Sequence, residues 1–286
     1  GGVYFENGGM LLNCLVVSNA ARKGGGAFGY QKIGARNCLF IWNAATNAPA
    51  GEADRGDGGG FLGYVATGVV ENCTITRNTA YRSGGGVYVN GRSILRNTIV
   101  YENASLGTSS TNYQVAGGGS FTNCCTAPAL GTACVAADPL FVGGAAGNYR
   151  LTWDSPCLDV GTPESWMFSG EDLDGDLRVW NGAPDIGAYE FPIIHVATDG
   201  DSVAPYATWG DAATNPVDAA AVKRARCAIW VADGTYPISA EISLTGGVTF
   251  VSVNGAANTT IRGAGSNRCF NIGYGNCVID GFTIVG

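Results

Sequence analysis

The sequence predicts an all-β solenoid, a stack of coils whose strands run parallel, with one short helix near residues 215–226. Three observations carry this. Glycine makes up 45 of 286 residues, about twice its usual share. It gathers in a recurring phrase, three glycines and then strand-forming residues: GGGAFGY (24–30), GGGFLGY (58–64), GGGVYV (84–89) and GGGSF (117–121). Each of the first three phrases leads to an asparagine at nearly constant distance: Gly24 to Asn37 is 13 residues, Gly58 to Asn72 is 14, Gly84 to Asn97 is 13.

The asparagines set the coil length. Asn13, Asn37, Asn72, Asn97 and Asn123 are separated by 24, 35, 25 and 26 residues. A step near 25 suits one coil of a solenoid, and the longer step holds an insertion at a corner, NAATNAPAGEADRGD (43–57).

The strands after these asparagines alternate with period two: NCLVV, NCLFI, NCTIT, NTIVY and NCVID. The residue after Asn and the one two further on share a face. Asn13-Cys14, Asn37-Cys38, Asn72-Cys73, Asn123-Cys124 and Asn276-Cys277 therefore predict a core ladder, with free thiols packed as small apolar groups. The Asn tolerates a left-handed corner, and stacked amides can bond along the axis. The glycines serve a second corner, where backbone packs closely.

The helix is read from NPVDAAAVKRA (215–225). Asn215 is a good N-cap, Pro216 a good first helical residue, and Val217, Ala220, Ala221 and Ala225 form an apolar face.

Net charge is −7, with three lysines and one histidine. That balance argues against a nucleic-acid partner, which needs a basic footprint. No run of about 18 apolar residues is present, so no membrane span is expected.

Several phrases carry a resemblance. GGGVYV, ENCTITRNTA and RNTIVYEN look like right-handed parallel β-helix repeats of the pectate-lyase-like superfamily. ADPLFV (137–142), NYRLTWDSPCLDVG (148–161), EDLDGDLRV (171–179) and PDIGAYEF (184–191) resemble the C-terminal region of bacterial surface β-helix proteins of the choice-of-anchor Q type. IHVATDGD (194–201), VKRARCAIWVADGTY (222–236) and GVTFVSVNGAANTTIRG (247–263) resemble the N-terminal part of the same class. The resemblance implies a right-handed coil, a bacterial extracellular or cell-surface setting, and a capping role for the helix. The C-terminal phrases precede the N-terminal ones. Residues 1–191 thus read as the later coils of one β-helix and 192–286 as the cap and first coils of the next.

Placing Gly286 before Gly1 restores a triple glycine, and Asn276 to a following Asn13 is then 286 − 276 + 13 = 23 residues, one coil. The expectation is one period of a tandem or head-to-tail array, with Ile284, Val285 and Gly286 meeting Gly1, Gly2, Val3 and Tyr4 of the next copy. The partner is a copy of the chain, and the role that of a structural unit in a filament, sheath or fibre.

Other residues were weighed for chemistry. Asp172, Asp174 and Asp176 around Gly175 suit calcium, the one cofactor considered, or a solvated turn with Arg178 pairing locally. Cys125 and Cys134 flank a short loop and suggest a disulfide. Outward strand positions carry Leu, Thr, Ser, Asn and Arg rather than a set of acids. Glu6, Glu71 and Glu102 read as corner residues and His195 as a linker or strand-edge histidine, so no catalytic residue is assigned and no enzyme is expected. A carbohydrate-binding adhesin is the alternative, with Tyr4, Phe28, Tyr30, Phe61, Tyr64 and Tyr88 as a stripe that alternation turns partly inward and a surface glycan as its partner. A polysaccharide lyase is the second alternative.

Overall fold

A computed structural model describes residues 1–46, 56–107, 111–265 and 267–286. Most of the 43–57 corner insertion, residues 47–55, lies outside the described residues. The chain divides into two compact units: Gly1–Val179 with Ala183–Glu190, and Trp180–Gly182 with Phe191–Gly286. Both are parallel β-solenoids, each with its own core.

In the first unit, four parallel sheets run along the stack. Four coils give one short strand to each sheet, and the coil from Tyr113 gives one to each of the first three. The coil after Gly26 contributes Ala27–Tyr30, Ile33–Arg36, Leu39–Ile41 and Ala44–Ala45. The register is regular: Val3, Ala27, Phe61, Val87 and Tyr113 lie side by side. So do Val16, Phe40, Ile75 and Val100. Those columns fill the interior, where Phe40, Phe61, Ile75, Val87 and Val100 are wholly buried.

The predicted corner is present at each asparagine that the spacing singled out. Asn13, Asn37, Asn72, Asn97, Asn123 and Asn276 all have φ between 47° and 53°. The residue that follows does more than fill space. Cys38 and Cys73 each donate a thiol hydrogen bond to the carbonyl two residues back, at 3.1 and 3.2 Å. Thr98 does the same through its hydroxyl at 2.8 Å, which explains why threonine replaces cysteine there.

The main asparagine stack differs from the expected one. In the corner column, among the described residues, Asn37 reaches its neighbour, donating to Asn13 Oδ1 at 3.2 Å. The continuous column lies six residues further on. Asn19, Asn43 and Asn78 each donate to Oδ1 of the next, ending at Asn103, at 3.0, 2.9 and 3.0 Å; Asn103 then donates to Asn112 at 3.3 Å. Ahead of it sits a second left-handed position, occupied by Ser18, Trp42, Arg77 and Glu102.

The glycine phrase faces this column. A Cβ on Gly59 would lie 2.1 Å from the Gly85 carbonyl oxygen, and one on Gly85 would lie 2.2 Å from that of Ala104. Only glycine allows the coils to close this tightly.

Residues 137–190 fold back along the outside of the third sheet. Leu39 and Ile41 are covered by Tyr149, Ala188 and Tyr189, and Ile99 and Cys125 by Leu151, Cys157 and Ile186. At one end of this stack, Leu130 and Cys134 pack onto the core.

In the second unit, Ile193–Val196, Ala228–Val231, Thr249–Ser252 and Val278–Asp280 form the longest parallel sheet. The helix spans Pro216–Ala221, five residues short of the predicted end. Asn215 caps it by accepting from the Val217 amide at 2.9 Å. It buries Pro216, Ala219 and Ala220 against the strands at the start of this stack. No helix among the described residues is long and apolar enough to cross a membrane.

Candidate functional site

One end of each unit is packed by a further segment, Leu130 and Cys134 in the first and the helix in the second, and the other ends on edge strands. In the first unit, the coil Val3–Phe5, Gly9–Leu12, Leu15–Val17 and Ala20–Ala21 is the outermost strand of all four sheets. Its inward residues Val3, Phe5, Leu11 and Cys14 are only partly buried against the core. Its outward residues Tyr4, Met10, Leu12 and Leu15 are 56, 45, 51 and 63% exposed. Leu15 continues the column of Leu39, Thr74 and Ile99 but lies beyond the covering segment.

In the second unit, Phe270–Ile272, Val278–Asp280 and Thr283–Val285 are the outermost strands. Phe270, Cys277, Ile279 and Phe282 pack inward but remain partly open. Ile272, Val278, Ile284 and Val285 are 50, 49, 50 and 41% exposed. The two open coils share a phase. Asn276 precedes Cys277 with φ 49°, and Asn13 precedes Cys14 with φ 53°. Both present a row of backbone donors and acceptors with no strand beside them among the described residues, bordered by half-covered apolar side chains.

The three aspartates do come together, with one oxygen from each within 4.8 Å of the others. The carboxylates of Asp172 and Asp174 are already engaged. Asp172 Oδ1 accepts from the amides of Asp174 and Asp176, and Oδ2 accepts from that of Glu190. Arg150 grips Asp174 through two nitrogens. The arrangement fits a turn held by its own backbone better than a metal site.

Arg178, expected to pair locally on a solvated turn, is instead wholly buried. It meets Glu190 at 2.7 Å and donates to the carbonyls of Asp185 and Gly187. Turned toward Arg178, the carbonyl oxygen of the Asn72 amide accepts from it as well, at 2.9 and 3.2 Å. Burial pushes the Glu190 carboxyl well up despite this partner, and burial raises Asp172 too.

Cys125 and Cys134 are free thiols. Cys125 is in register with Val135, so Cys134 lies beside Cys124, and alternation turns Cys125 to the opposite face. The structure leaves these two thiols on opposite faces and forms no disulfide between them. Cys134 instead extends the inner ladder, accepting from the Cys124 amide at 3.3 Å, while Cys125 joins Cys157 outside.

Glu71 is not a corner residue. It is buried between Arg36 and Arg96, which bond its two oxygens at 2.7 and 2.8 Å. Arg96 also pairs with Glu164, and Arg36 lies 4.2 Å over the Trp166 ring. Beside them a cleft of about 560 Å³ is bordered by Asn13, Asn37, Trp166 and the 169–175 turn. Glu102 does sit at a corner, paired with Arg77 at 2.9 Å. His195 lies inside a strand and is wholly buried; burial lowers its pKa.

The aromatic stripe is partly real. Tyr4 and Phe28, Phe28 and Tyr30, and Tyr30 and Tyr64 are 5.4, 5.0 and 5.4 Å apart, whereas Phe61 points into the core. In the second unit, a cleft of about 380 Å³ is bordered by Thr198, Asp199, Trp209, Asp233 and Asn254.

Comparison with protein-family models, curated proteins and solved structures gives no match.

Proposed function

We propose that the chain is a structural repeat of an extracellular bacterial filament, sheath or surface fibre, in which copies continue one another's stack end to end. The observation that carries this is the pair of open coils. One ends a core with Cys277 and Ile279 half-covered, and the other begins a core with Cys14 partly exposed beside Val16. Laid one on the other, the thiols and the apolar residues would continue single columns. The edge strands would gain partners of the same parallel kind. A head-to-tail contact of this sort does not close on itself, and so propagates.

The role is mechanical and requires no catalytic group. The resemblance to bacterial surface β-helices of the choice-of-anchor Q type supports the cell-surface setting. The ladder thiols Cys38, Cys73 and Cys124 are wholly buried, which shields them from an oxidising exterior.

Electron microscopy of native material tests the reading, together with electrophoresis under denaturing, reducing conditions. Filaments with a regular bead support it. A band far above 29.3 kDa then identifies one giant chain, and a band at that mass identifies non-covalent addition. Isolated monomers in native material would refute it.

A further inference from the structure

The second unit stacks three polar corner residues. Val196, Val231 and Ser252 are in register across its main sheet. Two residues later, Thr198, Asp233 and Asn254 therefore occupy equivalent corners of successive coils, about 4.8 Å apart. All three are exposed and border one cleft. Asn254 Nδ2 donates to Asp233 Oδ1 at 3.1 Å, so the column is pre-ordered.

Trp209 borders the same cleft and is 37% exposed. It is held in place from behind. Its ring meets the buried His195 ring edge-to-face, with centroids 4.5 Å apart. Its loop is pinned by Asp201 donating to the Gly210 carbonyl at 2.8 Å and Ser202 to that of Ala212 at 3.1 Å. An open indole held this firmly loses little freedom when a ligand packs against it.

An aromatic surface beside hydroxyl, amide and carboxylate groups is the chemistry that recognises a sugar. The apolar face of a pyranose packs on the indole, and its hydroxyls bond the carboxylate and amide. Asp199 and Asp233 in the same cleft disfavour uronates and sulfated sugars by like-charge repulsion. The coil spacing is close to the length of one pyranose in an extended chain, so successive sugars can meet successive corners. We propose that this cleft binds a neutral, extended hexose polymer laid along Thr198, Asp233 and Asn254, with Trp209 as its platform. The site lies within one unit and does not depend on end-to-end assembly.

Isothermal titration of the full chain with a hexamer of β-1,4-linked glucose is the test, with a hexamer of galacturonate as the charged control. Saturable binding is expected, with a dissociation constant of about 1 mM or tighter. Trp209→Ala should abolish it, and Asn254→Ala should weaken it about tenfold. Thermal melting of each variant checks folding. If Trp209→Ala does not fold, Asn254→Ala on the exposed corner carries the test. No saturable binding of the glucose hexamer, unchanged binding in the folded variants, or equal binding of galacturonate overturns the proposal.

Discussion

Asn78 shows how much of this fold rests on single side chains. Its buried amide accepts from the backbone and side chain of Asn43 and donates to Phe40, Thr76 and Asn103. Asn78→Ala leaves several of these groups buried without partners. It should lower unfolding free energy by about 2–4 kcal/mol, read from urea denaturation. His195 gives a second effect at this scale. Its pKa is lowered in the fold, because burial disfavours the charged ring. Neutral His195 therefore contributes stability that is present above its unfolded pKa of about 6.5 and is lost as pH falls through the lower folded value. His195→Phe keeps an aromatic ring beside Trp209 and should flatten this acid-side loss in thermal melts between about pH 7 and 5. A variant as acid-sensitive as the parent would exclude His195 as the cause.

Residues differ in how plainly the sequence announces them. The corner asparagines and inward cysteines are legible because each coil repeats both the residue types and their offset. The second asparagine column is equally regular, with Asn19, Asn43, Asn78 and Asn103 each six residues past a corner Asn. It lies just beyond the strands, where a period-two reading has nothing to say. Glu71 and Arg178 were not legible at all. Their burial depends on Glu164, Glu190 and other groups remote in sequence, and carboxylates and guanidinium groups are almost never fully buried unless paired.

At the scale of elements, the open coils are where sequence and structure meet most closely. Leu15 is exposed on one edge coil, outside the packed interior, whereas Ile284 is half exposed at the end of the buried column of Tyr236 and Ile261. Leu15→Arg should therefore leave the melting temperature nearly unchanged and Ile284→Arg lower it modestly, while both block growth of particles measured by light scattering. Particles that still grow in the doubly substituted chain would point to another contact. Glu71 makes the opposite forecast. Removing the acid between Arg36 and Arg96 leaves Arg36 to the Trp166 ring and Arg96 to Glu164, both about a quarter exposed, with side-chain values of 29 and 27%. Glu71→Ala should cost about 1–3 kcal/mol, less than a fully buried pair because water can reach the arginines. The helix was legible in its start, where Asn215 and Pro216 fix the first turn. Its end was not, since Lys223 bonds the Ala220 carbonyl and the chain turns away after Ala221.

For the whole molecule, two separate cores imply two separable stabilities. Phe250 belongs to the core of the second unit and Asn78 to the stack of the first. Calorimetry should resolve two transitions, with Asn78→Ala moving one and Phe250→Ala the other. A single transition shifted by both would show that the cores unfold together. The solenoid was legible at this scale. The fold-back of residues 137–190 was not, because its contacts join short irregular stretches to a sheet far back in the chain.

That each stack ends differently at its two tips has a consequence for any object grown from it. Such an object has a front and a back, and newcomers can join each by a different surface. Subunits supplied in two coloured pulses would then leave the later colour at both tips in bands of unequal length, since each tip grows through its own surface.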